Sequence, residues 1–270
     1  MTEALILAVD LGTSGMKVAL ITVSGKVLGW EAEPVLLLVT PDGGAEQSPD
    51  EWWEAFLSAA GRLLKRKQGA GRRVEAVCCS TQGEGTLPVD REGNALSNCI
   101  LWMDMRGAPH LTEQLGGLIN IDGASVDKVL RFVLLTGGTP SMTGKDPAGH
   151  MLFIRDTKPE IYSQTYKFLN VLDYLNLRLT GRFVATFDSI LTTWVTDNRN
   201  PDAVRYHDRL ISTLGLDPAK LPEIVACSDV IGTLKADVAE ELGLSKDVKV
   251  IAGSIDNTAA AIGAGAVDDF

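Results

Sequence analysis

Apolar and polar positions divide the chain into short apolar runs and a few amphipathic stretches. Leu5–Val9 is an apolar run that ends on a carboxylate, Asp10. Gly12-Thr13-Ser14-Gly15 interrupts it, and Met16–Ile21 returns as a second run. Bounded runs of this kind predict two strands of a hairpin, here with a turn longer than two residues. Val27–Glu33 follows the turn Ser24-Gly25 and completes a three-stranded meander. Ser48 and Pro49 then supply an N-cap and a first helical residue, and Glu51 completes a capping-box spacing. Trp52, Trp53, Phe56, Leu57, Ala60, Leu63 and Leu64 recur at helical spacing. Lys65-Arg66-Lys67 closes that helix with cations, which suit its C-terminus.

Further along, Arg73–Ser80 predicts a buried strand that ends in the small-residue turn Thr81–Gly85. Thr86–Val89, the tight turn Asp90–Asn94 and Ala95–Trp102 read as one hairpin. Its two ends, Thr81–Gly85 and Trp102–Arg106, are therefore expected close together. Residues 107–165 read as helices broken by Gly and Pro, with a long loop over Thr136–Gly149 and helix over Met151–Arg155. A short strand over Tyr166–Val171 precedes a helix over Leu172–Leu179 that Gly181 ends. An amphipathic helix is predicted over Pro201–Leu214, with Gly215 past its end and a linker over Leu216–Pro222. Lys249–Ala252 predicts a buried strand leading through Gly253–Asn257 into a small-residue helix, Thr258–Ile262.

Composition narrows the class. The chain has 270 residues, 45% hydrophobic and 22% charged, enough for one large domain or two small ones with a sizeable core. A net charge of −10 argues against nucleic acid or an anionic membrane as partner, though not against a nucleotide gripped locally. The start, MTEALILAVD, lacks the basic region of a signal peptide, and no window is long and apolar enough to span a membrane. Cys78, Cys79, Cys99 and Cys227 show no CxxC spacing. They read as reduced core residues of a cytoplasmic protein.

Three places carry candidate chemistry. In the first turn, Gly12 and Gly15 would let the backbone take positive φ and approach a ligand closely. Thr13 and Ser14 add hydroxyls, the N–H groups can form an anion nest, and Lys17 could reach the same phosphates. Asp10 is placed to hold Mg²⁺, which uses few protein carboxylates. The same residues also suit an ordinary polar hairpin. Second, Gln82, Gly83, Glu84 and Asp104 offer polar groups of the kind that pair with sugar hydroxyls, or else solvated loop charges. Third, Asp256 stands at a strand-to-helix junction. It is either an N-cap accepting from Ala259 or a general base for phosphoryl transfer beside a helix N-terminus.

The order of these segments resembles the sugar kinase, heat-shock protein 70 and actin superfamily, and within it the FGGY carbohydrate kinases, with xylulokinases nearest. VDLGTSGMKVAL resembles their phosphate-binding hairpin, and Gln47 with SPDEWW resembles their EQ-x-PExWW segment. TQGEG stands at their sugar-binding turn, where xylulokinases typically have GQMHG. Gln82 is kept, while Gly83-Glu84 replaces Met-His. Glycerol kinases carry NQRET there, so Glu84 matches their substrate-binding Glu. ILWMDMR resembles ILWNDxR, which places Asp104 in the substrate site. VLDYLNLRLTG resembles a scaffold segment, Asp188 is a weaker candidate for the cleft, and His150 stands where many members have Lys and is read as structural. GSIDNTAAAIGAG resembles GGGDNAAGAVGVG, whose Asp is the base and whose Asn touches the sugar, which points to Asp256 and Asn257.

The resemblance implies an α/β, ribonuclease H-like domain of the actin/hexokinase superfamily over residues 1–270. It would have a mixed sheet, an antiparallel meander, helices on both faces and an excursion from about residue 85 to 230. It implies ATP-dependent phosphorylation of a sugar hydroxyl with Mg²⁺, on a ketopentose such as D-xylulose, with glycerol or another polyol as the alternative substrate. A non-catalytic sugar-binding domain is the alternative of another class, and a homodimer is left open. No second phosphate hairpin, adenosine motif or carboxy-terminal glycine-rich signature is present, so the family's nucleotide-binding second domain is expected to be absent and the chain alone inactive.

Overall fold

The computed structural model describes residues 3–267, so a domain over 1–270 reaches past them at both ends. Its centre is a six-stranded mixed sheet. The strands are β1 (Leu5–Gly12), β2 (Gly15–Thr22), β3 (Val27–Pro34), β4 (Val74–Thr81), β5 (Val230–Thr233) and β6 (Lys249–Ile255). They lie in the order β5-β6-β4-β1-β2-β3. β1, β2 and β3 form the antiparallel meander, β1 and β6 flank β4 in parallel, and β5 is antiparallel on β6.

Alternation along β1 decides which way the sheet faces. Leu5, Leu7, Val9 and Leu11 are buried, while the residues between them are half-buried. The buried face packs against helices α1 (Pro49–Arg66) and α2 (Val171–Thr180), where Trp52 meets Tyr174 edge-on at 6.3 Å between ring centres. Ser48 caps α1 by accepting the Glu51 N–H, and Gly181 ends α2 at φ 81°. The opposite face stays half-exposed along Ile6, Ala8, Ala19 and Ser80, and the last helix flanks it with Ala259 and Ala260.

Residues from about 85 to 230 form the excursion, with an apolar cluster of their own around Leu111, Phe132, Leu152 and Leu210. Three local expectations change, two of them in this excursion. The hairpin over 86–102 reduces to two isolated bridges, Thr86–Ile100 and Val89–Ala95. Leu87–Val89 pairs instead with Lys167–Leu169, and Cys99–Ile100 with Ala45–Gln47. Both pieces are buried, so their backbone groups need partners, and other segments supply them. The helix expected from 201 begins at Asp208. Asn200 caps a 3₁₀ turn at Pro201–Ala203, and Arg205–Tyr206 pairs with Thr196–Asp197. The first turn is short: Gly12 pairs with Gly15, and neither glycine has positive φ. Gly15 is needed for space, because a Cβ there would lie 2.6 Å from the Glu33 carbonyl oxygen.

Candidate functional site

The three parallel strands end side by side. Asp10 lies opposite Ser80, and Ser80 opposite Ser254, so the residues just past the strand ends are neighbours. A cleft of about 320 Å³ opens there. Thr13, Gln82, Gly83, Glu84, Trp102, Ile255, Asp256 and Asn257 line it. A second, more apolar groove of about 590 Å³ runs along the half-exposed face, past Asp10, Lys17, Trp30 and Ala259. Asp256 lines both.

The first turn and the 81–85 turn are locked together by amides. Thr13 Oγ1 donates to Gln82 Oε1 at 2.9 Å, and Gln82 Nε2 donates to Gln47 Oε1 at 2.8 Å. Gln47 Nε2 closes the ring on the Thr13 carbonyl at 2.7 Å. Trp52 Nε1 also donates to Gln47 Oε1, at 3.1 Å, and Trp102 Nε1 to Thr13 Oγ1, at 3.2 Å. Gln47 and Gln82 are buried, and an amide that far from water must find protein partners. In the sequence Gln47 and Trp102 stand out only as part of wider segments. The surrounding residues, TPDGGAEQSPDE, are polar, so nothing local marks Gln47 as a buried hub.

Glu84 occupies the left-handed region at φ 58°, which a residue with a Cβ adopts at a cost. Partial burial raises its pKa, the Asp146 carboxylate adds to this, and Lys145 opposes it. Its carboxyl thus sits in the cleft wall in a strained, poorly solvated position. Gly83 packs on Ile255, with space for a Cβ at 3.4 Å from Cδ1.

Asp104 is not brought into the cleft. It is fully buried, accepting the Ala45 N–H at 2.9 Å, the Arg106 N–H at 2.9 Å and the Arg106 guanidinium at 2.7 Å. Arg106 also reaches Glu46 at 2.6 Å. These bonds occupy the carboxylate with bracing the loop that carries Trp102. His150 supports the same loop from below. Its Nε2–H donates to the Asp104 carbonyl at 3.2 Å, and Thr86 Oγ1 donates to its Nδ1 at 3.1 Å. Burial pushes its pKa down to about 4, so it is neutral, in keeping with a structural role.

Asp256 opens the last helix, α4 (Asp256–Gly263), as its first residue and not as its N-cap. Its Oδ1 accepts the Asn257 N–H at 2.8 Å, and no bond to Ala259 forms. A bulge in β6 between Ile251 and Ser254 aims this turn. At the bulge Gly253 has φ 79°, and a Cβ would lie 2.0 Å from the Cys79 carbonyl oxygen. Asp188 lies behind the cleft wall, where its carboxylate bonds Ile255 and Thr258.

Asp10 pairs with Lys17 at 2.8 Å, both partly exposed. No cluster of three or more metal-ligating side chains exists among the described residues. One accessible carboxylate beside this glycine-flanked turn still fits Mg²⁺, which takes one or two carboxylates and fills the rest of its shell with water and ligand oxygens.

Residues 5–263 match the model for the N-terminal domain of the FGGY family of carbohydrate kinases. The chain is similar to the xylulose kinase of Bacillus subtilis (strain 168), 27% identical over 264 residues, covering 96% of this chain and 49% of the relative. It is similar to the xylulose kinase of Escherichia coli (strain K12), 30% identical over 264 residues, covering 97% and 50%. The solved gluconate kinase of Lactobacillus acidophilus superposes with a TM-score of 0.84 at 23% identity, over 99% of this chain and 51% of that one. The chain therefore spans about half the length of the curated relatives it matches.

Proposed function

The chain belongs to the FGGY family of carbohydrate kinases, and from that premise we propose that it forms the sugar-binding half of an ATP-dependent kinase acting on a ketopentose such as D-xylulose. One observation carries this reading: Asp256 is the wall shared by the polar cleft and the groove that holds Asp10 and Lys17. A sugar in the cleft and phosphates over the first turn would then meet at Asp256.

In this reading the sugar hydroxyl donates to Asp256 while Glu84 and Asn257 pair with neighbouring hydroxyls. Gln82, held by its ring of amides, contributes its remaining N–H, and Gly83 keeps the wall open. Trp102 offers an apolar face to the C–H side of the sugar. As the hydroxyl oxygen attacks the terminal phosphorus of ATP, its proton passes to Asp256 and the bond to ADP breaks. The N–H groups of Gly12, Thr13 and Ser14, with Lys17 released from Asp10, would hold the phosphates. Asp10 would hold Mg²⁺, which neutralises charge on the phosphate oxygens. Asp104 acts only through the loop it braces.

The relatives' extra length leaves room for a second domain that completes the nucleotide site. Without it the phosphoryl group is not held in line, and positioning supplies much of the rate in phosphoryl transfer. The 270-residue chain is therefore expected to bind sugar without useful turnover. Glu84 also suits a small polyol, so glycerol is the second substrate to test.

Calorimetric titration of the chain with D-xylulose and with glycerol tests the reading. Saturable binding by one of them, lost in Glu84→Ala, is the expected result. Binding of neither, or binding indifferent to Glu84, would refute it.

A further inference from the structure

Asp188 faces neither opening, yet both of its oxygens are committed. It lies in the short helix α3 (Phe187–Leu191), inserted between α2 and α4 in the chain, and is buried. The Ile255 N–H donates to its Oδ2 at 2.8 Å, and Thr258 Oγ1 donates to its Oδ1 at 2.8 Å. Asp256 stands between those two anchor points. α4 cannot hold itself: it has eight residues, none of them buried, and its N-cap Ile255 has no side-chain acceptor. Isolated helices of that length are unstable in water.

The frame behind Asp188 is rigid. Thr186 caps α3 by accepting the Ser189 N–H at 3.0 Å, and Ser189 Oγ donates to the buried Asp173 at 2.8 Å. Asn170 donates to the Ser189 carbonyl at 3.0 Å and accepts the Gly85 N–H at 2.8 Å. The substrate turn and the first turn of α4 thus hang from one buried polar frame.

We propose that Asp188 is a positioning residue: from a distant helix it anchors α4 on both sides of Asp256, through the Ile255 N–H and the Thr258 hydroxyl, and so holds Asp256 at the cleft with the Oδ2 of Asp256 left for the substrate. Its bearing on catalysis rests on the reading of Asp256 as the base.

Amide hydrogen exchange on the 270-residue chain tests this. Asp188→Ala removes two charge-assisted bonds, so exchange over residues 255–262 should accelerate by about 10- to 100-fold, while β1 and β4 keep wild-type rates. Asp188→Asn retains one acceptor and should fall between. Thr258→Val should have a smaller effect, and the double variant Asp188→Ala/Thr258→Val should exchange no faster than Asp188→Ala alone. In a fusion to the second half of a relative, kcat should fall in Asp188→Ala with KM for D-xylulose held.

Unchanged exchange at 255–262 would overturn the proposal. So would acceleration spread over β1 and β4, which would make Asp188 a general stability residue, and so would a loss expressed in KM alone. The exchange measurement involves no substrate. Localised acceleration in a protein that binds neither sugar nor polyol would support the anchoring role while refuting the kinase reading.

Discussion

Replacing Gln47 with Leu removes the hub of the amide ring while keeping the side chain's bulk. Three groups lose their partner: Trp52 Nε1–H, Gln82 Nε2–H and the Thr13 carbonyl. The first two belong to buried side chains, and each buried orphan costs about 1–3 kcal/mol. Thr13 is half-exposed, so water can replace part of its loss. Taking about 2 kcal/mol for each buried donor, less about 1 kcal/mol regained by burying Leu, leaves a net loss of about 3 kcal/mol. With a urea slope of about 1–3 kcal/mol per molar, the midpoint should fall by about 1 M or more. Thr13 and Gln82 line the cleft, so sugar affinity should drop by more than about tenfold as well, the equivalent of about 1.4 kcal/mol. Gln47→Leu combined with Gln82→Leu should cost clearly less than the sum of the two, because the Gln82 Nε2–H left unpaired by the first change is removed by the second. A loss under about 1 kcal/mol for Gln47→Leu, or strict additivity in the pair, would refute the claim that the ring holds the two turns in place.

Asp256→Asn should leave stability within about 0.5 kcal/mol, since its one bond to the Asn257 N–H survives, and should abolish turnover in a fusion carrying both halves. Melting curves and a coupled ADP assay would check this. Gly253→Ala should cost more than about 3 kcal/mol, from positive φ and a collision with Cys79. Gly25→Ala, at φ 87° with open space, should cost about 1, and the contrast can be read in parallel urea melts. Burial raises Asp173 to about 7, above its unfolded value, so the folded state binds more protons between roughly pH 4 and 7. Its contribution is full below the unfolded pKa and is lost as pH rises through about 7, so Asp173→Asn should flatten that part of the stability–pH curve. Glu84 titrates above the ordinary Glu range, so if sugar hydroxyls donate to its carboxylate, affinity should strengthen as pH rises through that point. Glu84→Gln should remove the dependence.

Much of the fold was legible because its signals are local. Alternation in β1 and β2 specified the meander, Ser48, Pro49 and Glu51 marked the start of α1, and Gly181 and Gly215 marked helix ends that lie at φ 81° and 64°. Polar residues just past predicted strands gave Gln82, Glu84 and Asp256 as candidates, the family resemblance added Asn257, and parallel pairing through β4 puts them on one cleft. Periodicity reports burial and not partners, however. It showed that 87–89 and 99–100 are strands but not that each pairs outside the expected hairpin. It placed carboxylates at 104, 188 and 256 without saying which one faces the cleft. That depends on donors far away in sequence or held by a neighbouring loop: Ala45 and Arg106 take Asp104, and Ile255 and Thr258 take Asp188. Local spacing thus determined the strands, the helix ends and the kinds of group at the site. Tertiary packing alone decided which of those groups are consumed as braces and which stay free, because a buried carboxylate or amide goes to whichever donors the fold brings within about 3 Å of it.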